Sequence, residues 1–193
     1  MPIDGPISKD EAQASFVGEI PRLQGKIEVI PYNPDWPAQF EAEAAIIHSA
    51  LGGLVLELEH VGSTSVPGLQ AKPVLDIDLV VLDSTDESAY LPALGTAGYT
   101  LTIRESHWHE HRMLKRMDPA VNLHVWTLGS PEAARHKIFR DWLRNNEADR
   151  LAYGSHKRAL AEQGFSYMHE YNNAKSVLVR EILARALDAL PSA

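Results

Sequence analysis

The stretch from His60 to Leu82, HVGSTSVPGLQAKPVLDIDLVVL, constrains the fold more than any other. Val74 to Leu82 is apolar apart from Asp76 and Asp78, and its Val, Ile and Leu content predicts a buried strand. Side chains alternate along a strand, so both aspartates point the same way. Two neighbouring carboxylates on a buried strand repel each other and lose hydration, which calls for a compensating positive charge. A divalent cation supplies it, and Mg²⁺ prefers carboxylate oxygens. Just upstream, Gly62-Ser63-Thr64-Ser65 follows another apolar segment. A glycine lets backbone approach a ligand, and free N–H groups with hydroxyls suit phosphate. Taken singly, a Gly-Ser loop is only a turn and a D-x-D strand can be a solvated edge. In this order they make a plan for metal-assisted phosphoryl or nucleotidyl chemistry.

The polymerase-β-like nucleotidyltransferases share a Gly-Ser at the end of one strand and an Asp-x-Asp on the next. Gly62-Ser63 and Asp76-Ile77-Asp78 match that pattern. The longer run GSTSVPGLQAKPVLDIDL resembles the GrpB (UPF0157) family signature, as do WHEHR at Trp108 to Arg112, NLHVW at Asn122 to Trp126 and FRDWLR at Phe139 to Arg144. The resemblance spans about Ile27 to Leu190. It implies an α/β (α+β) fold: a small mixed β-sheet nucleotidyltransferase core covered by helices, with a C-terminal helical segment. The GrpB resemblance names no substrate; as a metal-dependent nucleotidyltransferase the chain would take a nucleoside triphosphate and an unknown small acceptor as partners, with Mg²⁺ or Mn²⁺ as cofactor.

A chain of 193 residues is long enough for one domain with a sizeable core. The net charge of −8 argues against broad nucleic-acid binding. The absence of cysteine rules out disulfides, thiolate metal sites and a cysteine nucleophile. No stretch approaches a membrane span, and MPIDGPISKDEAQ lacks the features of a secretory signal, so a cytoplasmic protein is expected.

Residues 1–26 read as an N-terminal extension, with a short helix capped by Ser8 and boxed by Glu11. Residues 27–190 form the domain. Ile27 to Pro31 is a predicted strand. A helix follows, with Asp35 as cap, Phe40, Ala44, Ile47 and Leu51 as its buried face, and Gly52-Gly53 as its stop. Leu54 to Val61 is the strand that delivers Gly62-Ser63. A helix from Ser84 or Asp86 fades at Gly95 to Gly98, and a strand runs from Tyr99 to Arg104. Arg112 to Met117 and Val121 to Thr127 form a hairpin about Asp118-Pro119, and three helices close the chain.

Further candidates surround this plan. Lys72, just before the Asp strand, can face phosphate as a point charge or stand as a solvated loop lysine. His107, His109 and His111 alternate, so an extended backbone would make them a possible imidazole metal site, with a histidine-rich loop as the alternative. Arg112 can bind phosphate bidentately. His124 occupies the strand position where the nucleotidyltransferase superfamily usually places a third carboxylate; no Asp or Glu stands from Val121 to Thr127. An imidazole there can bind Mn²⁺ or act as general base, and otherwise it is a wall residue. Arg140, Arg144 and Lys157 lie on the C-terminal helices. Tyr167, Tyr171 and Lys175 share a helix face, either as a base-stacking surface with a phosphate lysine or as core with a snorkelling lysine.

The expected site is therefore Asp76, Asp78 and His124 for catalysis, Gly62, Ser63, Thr64, Lys72, Arg112, Lys157 and Lys175 for phosphate, and Asp76, Asp78, His124 and His109 for metal. Three readings compete: a metal-dependent nucleotidyltransferase, an inactive nucleotide-binding module of the same fold, and a metal-dependent phosphohydrolase.

Overall fold

The computed structural model describes residues 5–190. Expectations for residues 1–4 and 191–193 lie outside the described residues. The sheet has five strands in the order β1-β2-β5-β4-β3: β1 Glu57–Val61, β2 Leu75–Val81, β3 Thr100–Glu105, β4 His111–Met117 and β5 Ala120–Thr127. Only β2 and β5 run parallel, and β4 and β5 form the expected hairpin. The sheet is mixed and the fold is α+β.

The helices are α1 Lys9–Ser15, α2 Trp36–Leu51, α3 Glu87–Thr96, α4 Pro131–Asn145, α5 Glu147–Ala161 and α6 Met168–Asp188. One sheet face carries Leu75, Ile77, Leu79, Val81, Val121, Leu123 and Val125, which pack with Ile47 and Leu51 of α2 and Tyr90 and Leu94 of α3. The three C-terminal helices make their own cluster from Leu143, Tyr153, Val179 and Ile182, into which Val66 and Leu69 insert from the segment between β1 and β2. That insertion ties the Gly62–Ser65 turn to the helical part. No helix of the described residues is long and apolar enough to cross a membrane.

At the N-terminus, Ser8 and Glu11 form the expected capping box on α1. The extension packs against edge strand β3, where the Val17 amide donates to the Thr102 carbonyl at 3.0 Å.

Three local expectations change. Ile27 to Pro31 is not a strand: one bridge joins Ile30 to Ala71, and Pro31, without an N–H, cannot extend the ladder. Leu54 to Val61 is strand only from Glu57, because Gly52–Leu54 forms a 3₁₀ turn and leaves Leu54 and Leu56 exposed. Asp35 precedes α2 without capping it through its side chain.

Candidate functional site

Alternation on β2 sends Asp76 and Asp78 to the face opposite α2 and α3. The parallel register sets Asn122 beside Asp76 and His124 beside Asp78. Helix α4 covers part of this face through Ala133, against Val80 and Trp126. Helices α5 and α6 bring Lys157 and Lys175.

The two aspartates live differently. Asp78 is 2% exposed; it accepts from Trp126 Nε1 at 3.0 Å, and His136 Nδ1 lies 2.9 Å from its Oδ2. Burial works against its charge, but His136, His124 and Trp126 hold its carboxyl below the usual range. The Asp76 side chain keeps 32% of its surface. Its Oδ1 accepts from Asn122 Nδ2 at 2.8 Å and lies 3.8 Å from His124 Nε2. Burial again opposes ionisation, and His124, Asn122 and Lys175 outweigh it, so Asp76 stays charged.

Behind His124 stands a chain of buried polar groups. His124 Nδ1 lies 2.9 Å from His111 Nε2, and His111 Nδ1 lies 2.7 Å from Glu105 Oε2. The carboxylate orients His111, and His111 orients His124, so that His124 Nε2 faces Asp76. Burial pushes both imidazoles toward the neutral form: His111 well below its ordinary value, and His124 downward against the pull of the two aspartates. A neutral, oriented imidazole is what a general base requires.

Around Asp76 the field is positive. Its charge acts on Lys72, Lys115, Lys157 and Lys175. Burial lowers the affinity of all four for their protons, and Lys175 comes down to about 8, with Lys72 adding to the effect and Asp76 opposing it. Among the described residues, Lys72, Lys175 and Lys157 make their contacts with groups other than carboxylates. Lys72 Nζ lies 3.5 Å from Met168 Sδ, and Lys175 Nζ lies 4.9 Å from the Tyr171 ring centroid. Lys157, 3% exposed, reaches Ser63 Oγ at 2.7 Å and the Gln70 carbonyl at 2.6 Å.

The turn between β1 and β2 is pinned from several sides. Gly62 has φ 66°, in the left-handed region, and Ser63–Ser65 form a 3₁₀ turn. Ser65 Oγ donates to the Gly62 carbonyl at 2.6 Å. Arg144 donates twice to the Ser65 carbonyl, at 2.8 and 3.0 Å, and Arg140 donates to the His60 carbonyl at 3.0 Å.

The structure thus brings together Gly62, Ser63, Lys72, Asp76, Asp78, His124, Lys157 and Lys175. Three expected residues stand apart. Arg112 pairs with Val125 across the hairpin, so alternation sends it to the other sheet face, where its Nε bonds Glu87 at 2.6 Å. The extended backbone expected across His107, His109 and His111 is absent, because the chain turns there with positive φ at His109 and Glu110; His109 Nε2 lies 3.9 Å from Glu132. Thr64 is 1% exposed, with its hydroxyl 3.0 Å from His60 Nε2. Tyr171 is core, and Tyr167 faces Lys9 and Arg22.

Sequence alone does not single out His136, Glu105 or Lys115. For His136 a signal exists: Glu132, His136 and Arg140 recur every fourth residue on α4, and Glu132 and Arg140 are buried. Charged residues along the buried stripe of a helix need polar partners.

A divalent ion fits this donor set poorly. Both Asp78 oxygens are engaged, and no three His, Asp or Glu side chains converge as metal ligands among the described residues.

The model of the GrpB protein family matches residues 26–185. UPF0157 protein BH1888 of Halalkalibacterium halodurans is 49% identical over 181 residues, covering 94% of this chain and 93% of that protein. A protein named dephospho-CoA kinase, from Mycolicibacterium paratuberculosis, is 27% identical over 189 residues, covering 84% of this chain and 46% of its own length. The crystal structure of conserved protein GrpB from Enterococcus faecalis superposes with a TM-score of 0.75 at 30% identity, covering 83% of this chain and 98% of that one.

Proposed function

The chain belongs to the GrpB family, and on that premise we propose that the site at Asp76 binds the phosphates of a nucleoside triphosphate and transfers its nucleotidyl group to a small acceptor. One observation carries the reading: the charge of Asp76 acts on Lys72, Lys115 and Lys175, and no second carboxylate is in contact with Lys72 or Lys175 among the described residues. Taking ammonium groups out of water without counter-ions is costly, and each lysine loses affinity for its proton as a result. A polyphosphate supplies the missing negative charge. The Gly62-Ser63 turn beside it offers close backbone approach and a hydroxyl.

For the transfer itself, His124 is the base. With His111 and Glu105 fixing its tautomer, His124 Nε2 takes the proton of an acceptor hydroxyl placed between it and Asp76. The 3.8 Å separation from Asp76 Oδ1 leaves both groups within reach of one such hydroxyl. Mg²⁺ or Mn²⁺, expected from the paired aspartates, finds no group of three His, Asp or Glu ligands among the described residues, and no step is assigned to it.

A second reading has its own support. Asn122 and His124 stand on β5 where a third carboxylate is usual in nucleotidyltransferases, which suits a module that binds nucleotide without turning it over. Thermal shift with the four triphosphates, with and without Mg²⁺ and Mn²⁺, followed by assay of each for pyrophosphate release, separates the two. Stabilisation with release supports transfer, and stabilisation without release supports the module. No stabilisation by any triphosphate removes both.

A further inference from the structure

The Ser63–Lys157 pair has the geometry of an activated nucleophile. Lys157 Nζ lies 2.7 Å from Ser63 Oγ and is anchored by the Gln70 carbonyl at 2.6 Å. The lysine is buried, while Ser63 is half-buried and stays within reach of solvent. A buried amine facing a hydroxyl, a carbonyl and the Tyr153 ring, with no carboxylate in contact among the described residues, favours its neutral form. Lys157 Nζ donates to the Gln70 carbonyl and to Ser63 Oγ, and a neutral amine at that distance has its lone pair free to take the Ser63 proton when the hydroxyl turns toward it. The serine does not wander: its turn is held by Arg144 on the Ser65 carbonyl and by Ser65 Oγ on the Gly62 carbonyl. A half-buried hydroxyl on a rigid turn, backed by a desolvated amine, is the arrangement by which serine–lysine pairs perform covalent catalysis.

We propose that Ser63 is a covalent nucleophile toward phosphorus and Lys157 its general base, so that transfer passes through a nucleotidyl-serine. The proposal rests on the phosphate-binding reading of the Asp76 site. In the first step Ser63 Oγ attacks the α-phosphorus and its proton moves to Lys157 Nζ. The Oγ–P bond forms, the bond from phosphorus to the β-bridging oxygen breaks, and pyrophosphate leaves with that electron pair. Lys72 and Lys175 balance the charge of the departing group. In the second step the acceptor hydroxyl gives its proton to His124 Nε2 and attacks phosphorus. The bond to Ser63 Oγ breaks, and Lys157 returns the proton to Oγ. The role of His124 is unchanged, and inversion occurs twice at phosphorus.

A fluorophosphonate probe tests the nucleophile without any nucleotide. The intact protein is treated with the probe and mapped by mass spectrometry. The expected result is one adduct, on Ser63, absent in Ser63→Ala, and formed at least about 100-fold more slowly in Lys157→Gln, the lower range for loss of a general base. The wild-type labelling rate should also rise with pH through a group titrating well below ordinary lysine, which a purely structural lysine would not produce and which needs no variant to fold. Absence of a Ser63 adduct overturns the proposal. So does a Lys157→Gln rate equal to wild type, or a labelling rate without that pH dependence. Triphosphates labelled at the α- or γ-phosphorus form the second arm. Label retained on Ser63 from the α-position supports nucleotidyl transfer. Calorimetric binding without retained label overturns the covalent step and leaves the phosphate-binding reading standing. Absence of triphosphate binding sinks that reading, and the probe result alone then decides whether Ser63 is activated.

Discussion

Gly62 packs against the carboxylate of Asp76 so closely that no side chain fits between them. A Cβ built on Gly62 would lie 2.8 Å from Asp76 Cβ and overlap its Oδ2, and the glycine also holds φ at 66°. Strain and overlap therefore act together at one position. Gly62→Val should displace Asp76 or the 63–65 turn and lower triphosphate affinity at least about tenfold, roughly 1.4 kcal/mol. Calorimetry on a variant with a native circular dichroism spectrum checks this. Wild-type affinity in that variant would reduce the turn to a connection.

His124 and its backing residues make a separable prediction. His124→Ala should lower any transfer rate by about 10²- to 10⁴-fold while leaving triphosphate affinity near wild type, since the imidazole acts on the acceptor. His124→Asp should not restore the rate, because His111 then has no imidazole to orient. Single-turnover and binding measurements on both variants provide the check. Unchanged turnover in His124→Ala would make His124 a wall residue.

The aspartates should part company in stability. Asp78 is buried and bonded to Trp126 and His136, so Asp78→Asn should cost on the order of 1–3 kcal/mol through mispaired buried donors. Asp76, one-third exposed but the counter-charge of the surrounding lysines, should lose more at pH 7 than Asp78 does, because Asn leaves their ammonium groups unbalanced. Urea unfolding of the two single variants decides, and equal losses would contradict the difference in environment.

Acid sensitivity follows from His60. It stacks on Phe40, with ring centroids 4.9 Å apart. Burial lowers its pKa from 6.5 to about 4, with Asp76 opposing and Arg144 and Arg140 assisting. In this window the unfolded chain binds the extra proton, so stability falls as pH drops from about 6.5 and the loss is complete near pH 4. The shift corresponds to a loss on the order of 3 kcal/mol. Unfolding at pH 7 and pH 4.5 measures it, and His60→Asn should have a flatter pH dependence. An identical dependence in the variant would assign the effect elsewhere.

Much of this site was legible in the sequence, because periodicity alone assigns faces. Alternation in LDIDLVV and in VNLHVW places Asp76, Asp78 and His124 on one side once the two strands are neighbours, and β2 and β5 are. The same alternation, carried back from His124 through the hairpin, sends Arg112 to the far face, so that placement was within reach. What sequence spacing cannot carry is contact between distant elements. His136 reaching Asp78 depends on how α4 lies on the sheet, and Lys157 reaching Ser63 on how α5 meets the turn. The histidine trio failed for a local reason: the extended backbone assumed there gives way to a turn at His109 and Glu110.

The central claim, that the lysines around Asp76 hold a polyphosphate, is tested most directly by calorimetric titration of a nucleoside triphosphate at pH 7 and pH 9. The titration is run in EDTA and in Mg²⁺, on the wild type and Lys175→Gln. With Lys175 titrating near 8, affinity should fall between the two pH values as its ammonium loses a proton, and Lys175→Gln should bind more weakly at pH 7 with a smaller pH dependence. A triphosphate affinity that is the same at both pH values and in both proteins, or no binding with or without Mg²⁺, would contradict the account.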